Sequence, residues 1–150
     1  MATTGARESL KGPAFTLGLA GALPFIALAV AAWTAAPERV AVFERWIVAY
    51  GAVILAFVGA LHWGLAMRAD AVVARPWAVL GWSVAPALAG WVALVMPPPA
   101  ALVLLIAAFT AHLAMDRKRA AALGAADWYL RLRGALTALV CASLTAVWLA

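Results

Sequence analysis

The sequence predicts an all-α fold, a polytopic transmembrane helical bundle with five spans and a cytoplasmic N-terminus. Three observations carry this prediction. Of the 150 residues, 68% are hydrophobic and 11% are charged, whereas a soluble domain of this length needs more polar groups to cover its surface. The apolar residues fall into five long runs, and the cations between those runs are divided unequally between two sides. Lipid is therefore the expected solvent of the chain.

Five spans are predicted within one membrane domain, at residues 14–36, 46–67, 76–96, 99–115 and 132–149. A helix needs about 20 apolar residues to cross a hydrocarbon core of about 30 Å, so the fourth span is short. Pro98 and Pro99 are expected to form its first turn, where a missing N–H costs no hydrogen bond. The first run exceeds the roughly 7 to 15 residues of a signal-peptide core, which predicts an uncleaved span.

Orientation follows from the cations, because cytoplasmic loops of membrane proteins carry an excess of Lys and Arg. Nine of the eleven cations lie on one predicted side: Arg7, Lys11, Arg68, Arg75, Arg117, Lys118, Arg119, Arg131 and Arg133. Only Arg39 and Arg45 lie on the other. The net charge of +5 does not indicate nucleic acid, since the cations flank the spans. Anionic lipids at the cytoplasmic side are the expected contacts.

Pro24 and Pro86 lie near the middle of the first and third spans, where proline is expected to kink a helix. Pro86 leaves the carbonyl of Trp82 without its helical donor, and the Ser83 hydroxyl is expected to supply part of the missing hydrogen bonding. Interrupted helices form binding sites in transporters, although proline is also common in membrane helices that bind nothing. The kinks therefore allow a carrier without requiring one.

Small residues on two faces of the second span predict a central helix with neighbours on both sides. One face carries Ala52, Ala56, Ala60 and Gly64, and a nearly opposite face carries Gly51 and Gly59. Small side chains let helices approach closely in lipid. Alanine is so abundant here that such stripes also arise by chance.

His62 and His112 are the two histidines of the chain, at similar depth near the cytoplasmic ends of their spans. His112 precedes Asp116 by four residues, so a helix places both on one face, where the carboxylate could orient the ring. If the second and fourth helices touch, the rings could hold a quinone headgroup, a haem or a metal. Alternatively, each histidine bonds a neighbouring helix or reaches toward headgroups. No cofactor or metal is therefore predicted, and quinone or haem remains an alternative.

No catalytic residue is predicted. Asp116 and Arg133 are placed at span ends, so no charge is expected inside the bundle, and proton pumps, voltage sensors and charge-coupled carriers need buried charge. No His-Glu-x-x-His, Gly-x-Ser-x-Gly or phosphate-binding glycine pattern occurs. The single cysteine, Cys141, cannot form an intrachain disulfide and is expected to be a packing residue.

A family resemblance rests on residues of the first, second, third and fifth spans and on residues of the segment between the fourth and fifth spans. They are Gly21, Leu23, Pro24, Phe25, Tyr50, Gly51, Ile54, Leu55, Phe57, Gly59, His62, Trp63, Gly64, Trp82, Pro86, Trp91, Asp116, Trp128, Tyr129, Leu132 and Arg133. In these residues the chain resembles the domain of unknown function 3429 family, whose relatives include a mitochondrial multi-span protein. The resemblance covers nearly the whole chain. It implies a small inner-membrane protein of bacteria or mitochondria with no established activity.

The candidate functional face lies toward the predicted cytoplasmic side and comprises His62, Trp63, Gly64, His112, Asp116, Trp128, Tyr129 and Arg133. These residues favour a non-enzymatic accessory or assembly factor of the bacterial inner membrane, which binds a larger membrane complex or lipid through that face. One alternative is a redox-associated protein that binds quinone or haem through His62 and His112. A third is a small-molecule carrier that opens at Pro24 and Pro86.

Overall fold

The computed structural model describes residues 2–67, 76–119 and 126–150, and of residues 2–8 and 65 the backbone alone. This part of the chain contains five helices and no strand: α1 (Ala2–Thr34), α2 (Pro37–Met67), α3 (Pro76–Val95), α4 (Pro98–Arg119) and α5 (Asp127–Trp148). Each helix is long and apolar enough to cross a membrane. The all-α class with five helices is thus confirmed, while Arg68 and Arg75 of the predicted cytoplasmic side lie outside the described residues.

The helices extend beyond the apolar runs that predict the spans. Helix α2 begins at Pro37, well before the apolar run that starts at Trp46, because proline suits the first helical position. Helix α4 begins at Pro98, as expected, and continues to Arg119. Hydropathy reports the thickness of the hydrocarbon, whereas a helix continues for as long as its backbone hydrogen bonds do. Asp116 is consequently a helical residue.

Helix α2 is central in the bundle, as its small residues predict. Consecutive helices contact one another, α1 contacts α5, and α2 also contacts α4 and α5, so that α2 meets all four other helices. The core between them contains fully buried Phe25, Leu55, Leu105, Phe109 and Leu144. In lipid such helices associate through close packing rather than through exclusion of water.

Two glycines set the close approach of α2 and α3. A Cβ atom added at Gly59 would lie 2.8 Å from the carbonyl oxygen of Ser83 and 3.0 Å from the ring of Pro86. A Cβ atom added at Gly90 would lie 3.0 Å from the carbonyl oxygen of Ala52. Real Cβ atoms essentially never approach a backbone oxygen as closely as at Gly59, and a side chain at Gly90 would need the α2 backbone to shift by a few tenths of an ångström. Their contacts fix the rotation of α2 against its neighbour.

Helices α1 and α3 continue through the two prolines that are expected to kink them. The hydroxyl of Tyr50 donates to the carbonyl of Gly21 at 2.8 Å, beside the α1 carbonyl that proline leaves without a donor. The expectation for Ser83 is wrong: its hydroxyl donates to the carbonyl of Leu80 at 2.6 Å, not to that of Trp82. A serine in a helix reaches the carbonyl three or four residues before it, so the adjacent residue is out of reach.

The helix ends form two opposite ends of the bundle. At one end α2 and α4 finish and α3 and α5 begin, and we term this the basic end. The ring centres of Phe15 and Trp128 lie 6.3 Å apart there, and Arg119 donates to the carbonyl of Ala78 at 3.5 Å. At the other end the Trp33 indole nitrogen donates to a carbonyl of α5 at 2.7 Å.

Candidate functional site

Four of the predicted site residues meet inside the bundle near the basic end. Helix α2 supplies His62, α4 supplies His112 and Asp116, and α5 supplies Arg133. The exposed fractions of these residues are 1%, 1%, 6% and 6%, in that order. We term these four residues the polar centre. His112 and Asp116 lie on one face of α4 because they are one helical turn apart. The contacts of α2 and α5 with α4 bring His62 and Arg133 to the same place.

The carboxylate of Asp116 connects three helices. Its Oδ2 atom accepts a hydrogen bond from Nε of Arg133 at 2.9 Å. Its Oδ1 atom lies 3.3 Å from Nε2 of His62, although this contact lacks the geometry of a hydrogen bond. The pairing with Arg133 keeps both charges compensated away from solvent, where a lone ion would be costly.

The two histidine rings lie against each other. Their centres are 4.9 Å apart and their planes are inclined by 41°. The ring of His112 also lies 6.3 Å from Trp82 of α3 and comes within reach of the carbonyl of Val58. None of the four ring nitrogens makes a hydrogen bond of good geometry within the described part of the protein. Buried polar atoms in folded proteins rarely lack a hydrogen bond.

Two expectations from the sequence are wrong at this point. The bundle does contain buried charge, because α4 continues through Asp116 and turns this side chain inward toward Arg133 on α5. The carboxylate also does not bond His112 on its own helix but faces His62 and Arg133 on other helices. The lack of charge within the apolar runs therefore does not exclude functions that need an ion or a proton in the bundle.

The other four predicted residues lie around the polar centre rather than in it. Trp63 and Gly64 are exposed, because successive helical residues are rotated by about 100° and turn away from His62. Trp128 and Tyr129 are half-buried, with their ring centres 6.3 Å apart. The predicted face thus divides into a buried centre and an outer aromatic part.

Two residues that the prediction did not include belong to this region. Trp82 contacts His112, and its buried indole nitrogen has no hydrogen-bond partner among residues 2–67, 76–119 and 126–150. Thr137 follows Arg133 by one turn of α5, and its buried hydroxyl likewise has no partner among the residues that the structure describes. In the sequence, the four-residue spacing from Arg133 was the signal that could have placed Thr137 on the same helix face. For Trp82, the only signal was its depth in the third span.

Comparison with known proteins agrees with this architecture. The chain is 39% identical to Transmembrane protein 69 of Xenopus tropicalis over 85 residues, which are 55% of this chain and 32% of that protein. The match therefore spans about a third of the relative's length. No solved structure shows a significant match to the chain.

The family described as Protein of unknown function (DUF3429) matches residues 10–149, nearly the whole chain and all five helices. With these helices and a transmembrane protein among its relatives, the molecule is a multi-pass membrane protein. It belongs to the DUF3429 family of proteins of unknown function.

Proposed function

We propose that this protein is a non-enzymatic accessory or assembly factor of the bacterial inner membrane, which binds a larger membrane complex or anionic lipid at its basic end. The observation that carries the proposal is a set of exposed cations and exposed aromatic rings at the same end of the bundle. Arg117 and Lys118 on α4 and Arg131 on α5 are exposed, and Trp63 and Trp77 are 44% and 91% exposed. Tryptophan favours the membrane interface, and each cation near an anionic surface contributes about 1 kcal/mol.

The polar centre does not itself form the docking surface, because its side chains are buried. A partner that approaches the basic end meets the exposed cations and tryptophans first. Substitutions in the buried centre would change the fold and the surface together, so the test of docking uses the exposed residues alone.

The test compares two charge-removing variants of the full chain. Arg117→Gln/Lys118→Gln/Arg131→Gln removes cations from the basic end, and Arg39→Gln/Arg45→Gln removes exposed cations from the opposite end as a matched control. Native mass spectrometry measures co-purified lipids, and pull-down from bacterial membranes in mild detergent measures partners. The basic-end variant is expected to lose anionic lipid or a partner that the control variant retains. Equal sets of lipids and proteins in both variants would refute the proposal.

The redox-associated alternative is favoured by one observation, the contact between His62 and His112. A haem held by two imidazoles has its iron and macrocycle between them, with ring centres about 6 Å apart. Rings whose centres are already 4.9 Å apart fit this arrangement poorly, so quinone is the better ligand for this alternative. Extraction of quinone from the purified protein, compared with a His112→Gln variant, tests it. Equal quinone content in both, or none in either, would reject this alternative.

A further inference from the structure

We infer that the polar centre binds one divalent transition-metal ion of the first row, such as Zn²⁺, through His62, His112 and Asp116. This inference does not depend on docking at the basic end. Each of the three residues offers one ligand atom, and these atoms lie within 4.8 Å of one another. All three residues are more than nine-tenths buried, so the group is a site inside the bundle rather than a cluster on its surface.

The first observation that points to an ion is that the buried ring nitrogens lack hydrogen bonds of good geometry. Both histidines are buried, and none of their nitrogens makes a hydrogen bond of good geometry in the described part of the chain. Nε2 of His62 lies 3.3 Å from Oδ1 of Asp116, and His112 has the carbonyl of Val58 within reach. Buried polar groups whose contacts fall short of a good hydrogen bond require an explanation, and a bound ion is one. An ion that accepts a lone pair from each imidazole satisfies both rings at once.

The donor set selects the class of ion. Two imidazoles and one carboxylate are a typical ligand set for Zn²⁺ and Fe²⁺, whereas Ca²⁺ and Mg²⁺ prefer oxygen ligands alone. Bonds of about 2.0–2.1 Å in a tetrahedral site place the ligand atoms about 3.4 Å apart. The atoms here lie within 4.8 Å, so rotations of the side chains bring them to an ion.

Arg133 is the positioning residue of this site. Its Nε atom holds Oδ2 of Asp116 at 2.9 Å, which leaves Oδ1 directed toward His62. Carboxylate ligands of metals are commonly oriented by such an outer hydrogen bond. The guanidinium also adds positive charge beside a divalent ion that has one anionic protein ligand. An anionic fourth ligand such as hydroxide offsets this charge at the coordination position that the three residues leave open.

The experiment uses the full chain in detergent, purified without a histidine tag and treated with chelator, and then titrated with Co²⁺ as a coloured probe. We expect one Co²⁺ per chain, with visible absorption typical of a tetrahedral site, and displacement of Co²⁺ by Zn²⁺. His62→Gln and His112→Gln are each expected to weaken binding by at least ~10-fold. The His112→Gln variant keeps the Asp116–Arg133 pair, and Asp127→Asn removes an exposed carboxylate as the matched control.

Two further measurements keep the inference open to refutation if a histidine variant fails to fold. Zn²⁺ is expected to raise the unfolding temperature of the wild-type chain, since a ligand that binds only the folded state stabilises it. Arg133→Lys is expected to weaken Co²⁺ binding by ~10-fold while the stoichiometry stays at one. Absence of the Co²⁺ absorption, equal affinity in His112→Gln, or loss of binding in Asp127→Asn would each overturn the inference. Quinone found in the site in place of an ion would overturn it as well.

Discussion

Replacing Asp116 by leucine should destabilise the bundle strongly, and replacing Arg133 by methionine at the same time should restore most of the loss. The leucine variant leaves the Arg133 guanidinium buried without its carboxylate, because Nε of Arg133 loses its 2.9 Å hydrogen bond to Oδ2. The double variant removes both charges and fills the space with apolar side chains of similar size. The two variants therefore separate the cost of an orphaned charge from the net contribution of the pair.

The free energy that Asp116→Leu costs follows from the burial of the pair. Both residues are 6% exposed, so the pair belongs to the buried class, in which removal of one partner costs about 3–5 kcal/mol. We expect about 3 kcal/mol for Asp116→Leu, at the lower end, because Arg133 lies only two turns into α5 and its long side chain can partly reach the interface. The double variant should lie within about 1 kcal/mol of the wild type, since replacing a whole buried pair by apolar residues is often neutral.

The assay is reversible unfolding by sodium dodecyl sulfate in mixed micelles, followed by circular dichroism, for the wild type, both single variants and the double variant. Asp127→Asn is the matched control, because this carboxylate is exposed at the same end of the bundle. Its effect should stay within about 0.5 kcal/mol. All measurements are made after chelator treatment, so that a bound ion does not contribute to the difference.

Two outcomes contradict this reasoning. If Asp116→Leu changes the free energy of unfolding no more than Asp127→Asn does, the pair is not buried in the folded protein. If the double variant is as unstable as the less stable single variant, the loss comes from altered packing rather than from an unpaired charge. Because each single variant is expected to lose about 3 kcal/mol and the double variant at most about 1 kcal/mol, the expected coupling energy between the two sites is about 5 kcal/mol.

The remaining predictions concern helix packing and orientation. Gly59→Ala should destabilise the bundle by about 1–3 kcal/mol in the same unfolding assay, because the added methyl group meets the α3 backbone at 2.8 Å. The control is Gly64→Ala, whose methyl group meets nothing within 4 Å and whose stability should stay near that of the wild type. In a Cys141→Ala background, Lys118→Cys should react with a membrane-impermeant thiol reagent only from the cytoplasm and Arg39→Cys only from the periplasm. Labelling of both positions from one side would rule out a five-span topology, and the reversed pattern would place the N-terminus outside.

The sequence determined the class of the protein and the number of its membrane-spanning helices. A bilayer leaves no water for unpaired backbone groups, so long apolar runs must become helices, and this constraint is local to each run. It also determined that Pro98 begins α4 and that the small residues of α2 allow neighbours on both sides. Each of these properties depends on residues within one segment.

Only the tertiary structure decided what the helices enclose. His62 and Arg133 are far apart in the chain, and hydropathy says nothing about the rotation of one helix against another. That rotation depends on contacts between segments. The fit of Gly59 against α3 sets the rotation of α2, which directs Trp63 outward, and the contacts of α4 with α2 and α5 turn Asp116 inward rather than toward the interface. A buried charged centre follows because Asp116 and Arg133 can share a hydrogen bond inside the bundle, and a pair that is satisfied in this way can remain out of water where either ion alone could not.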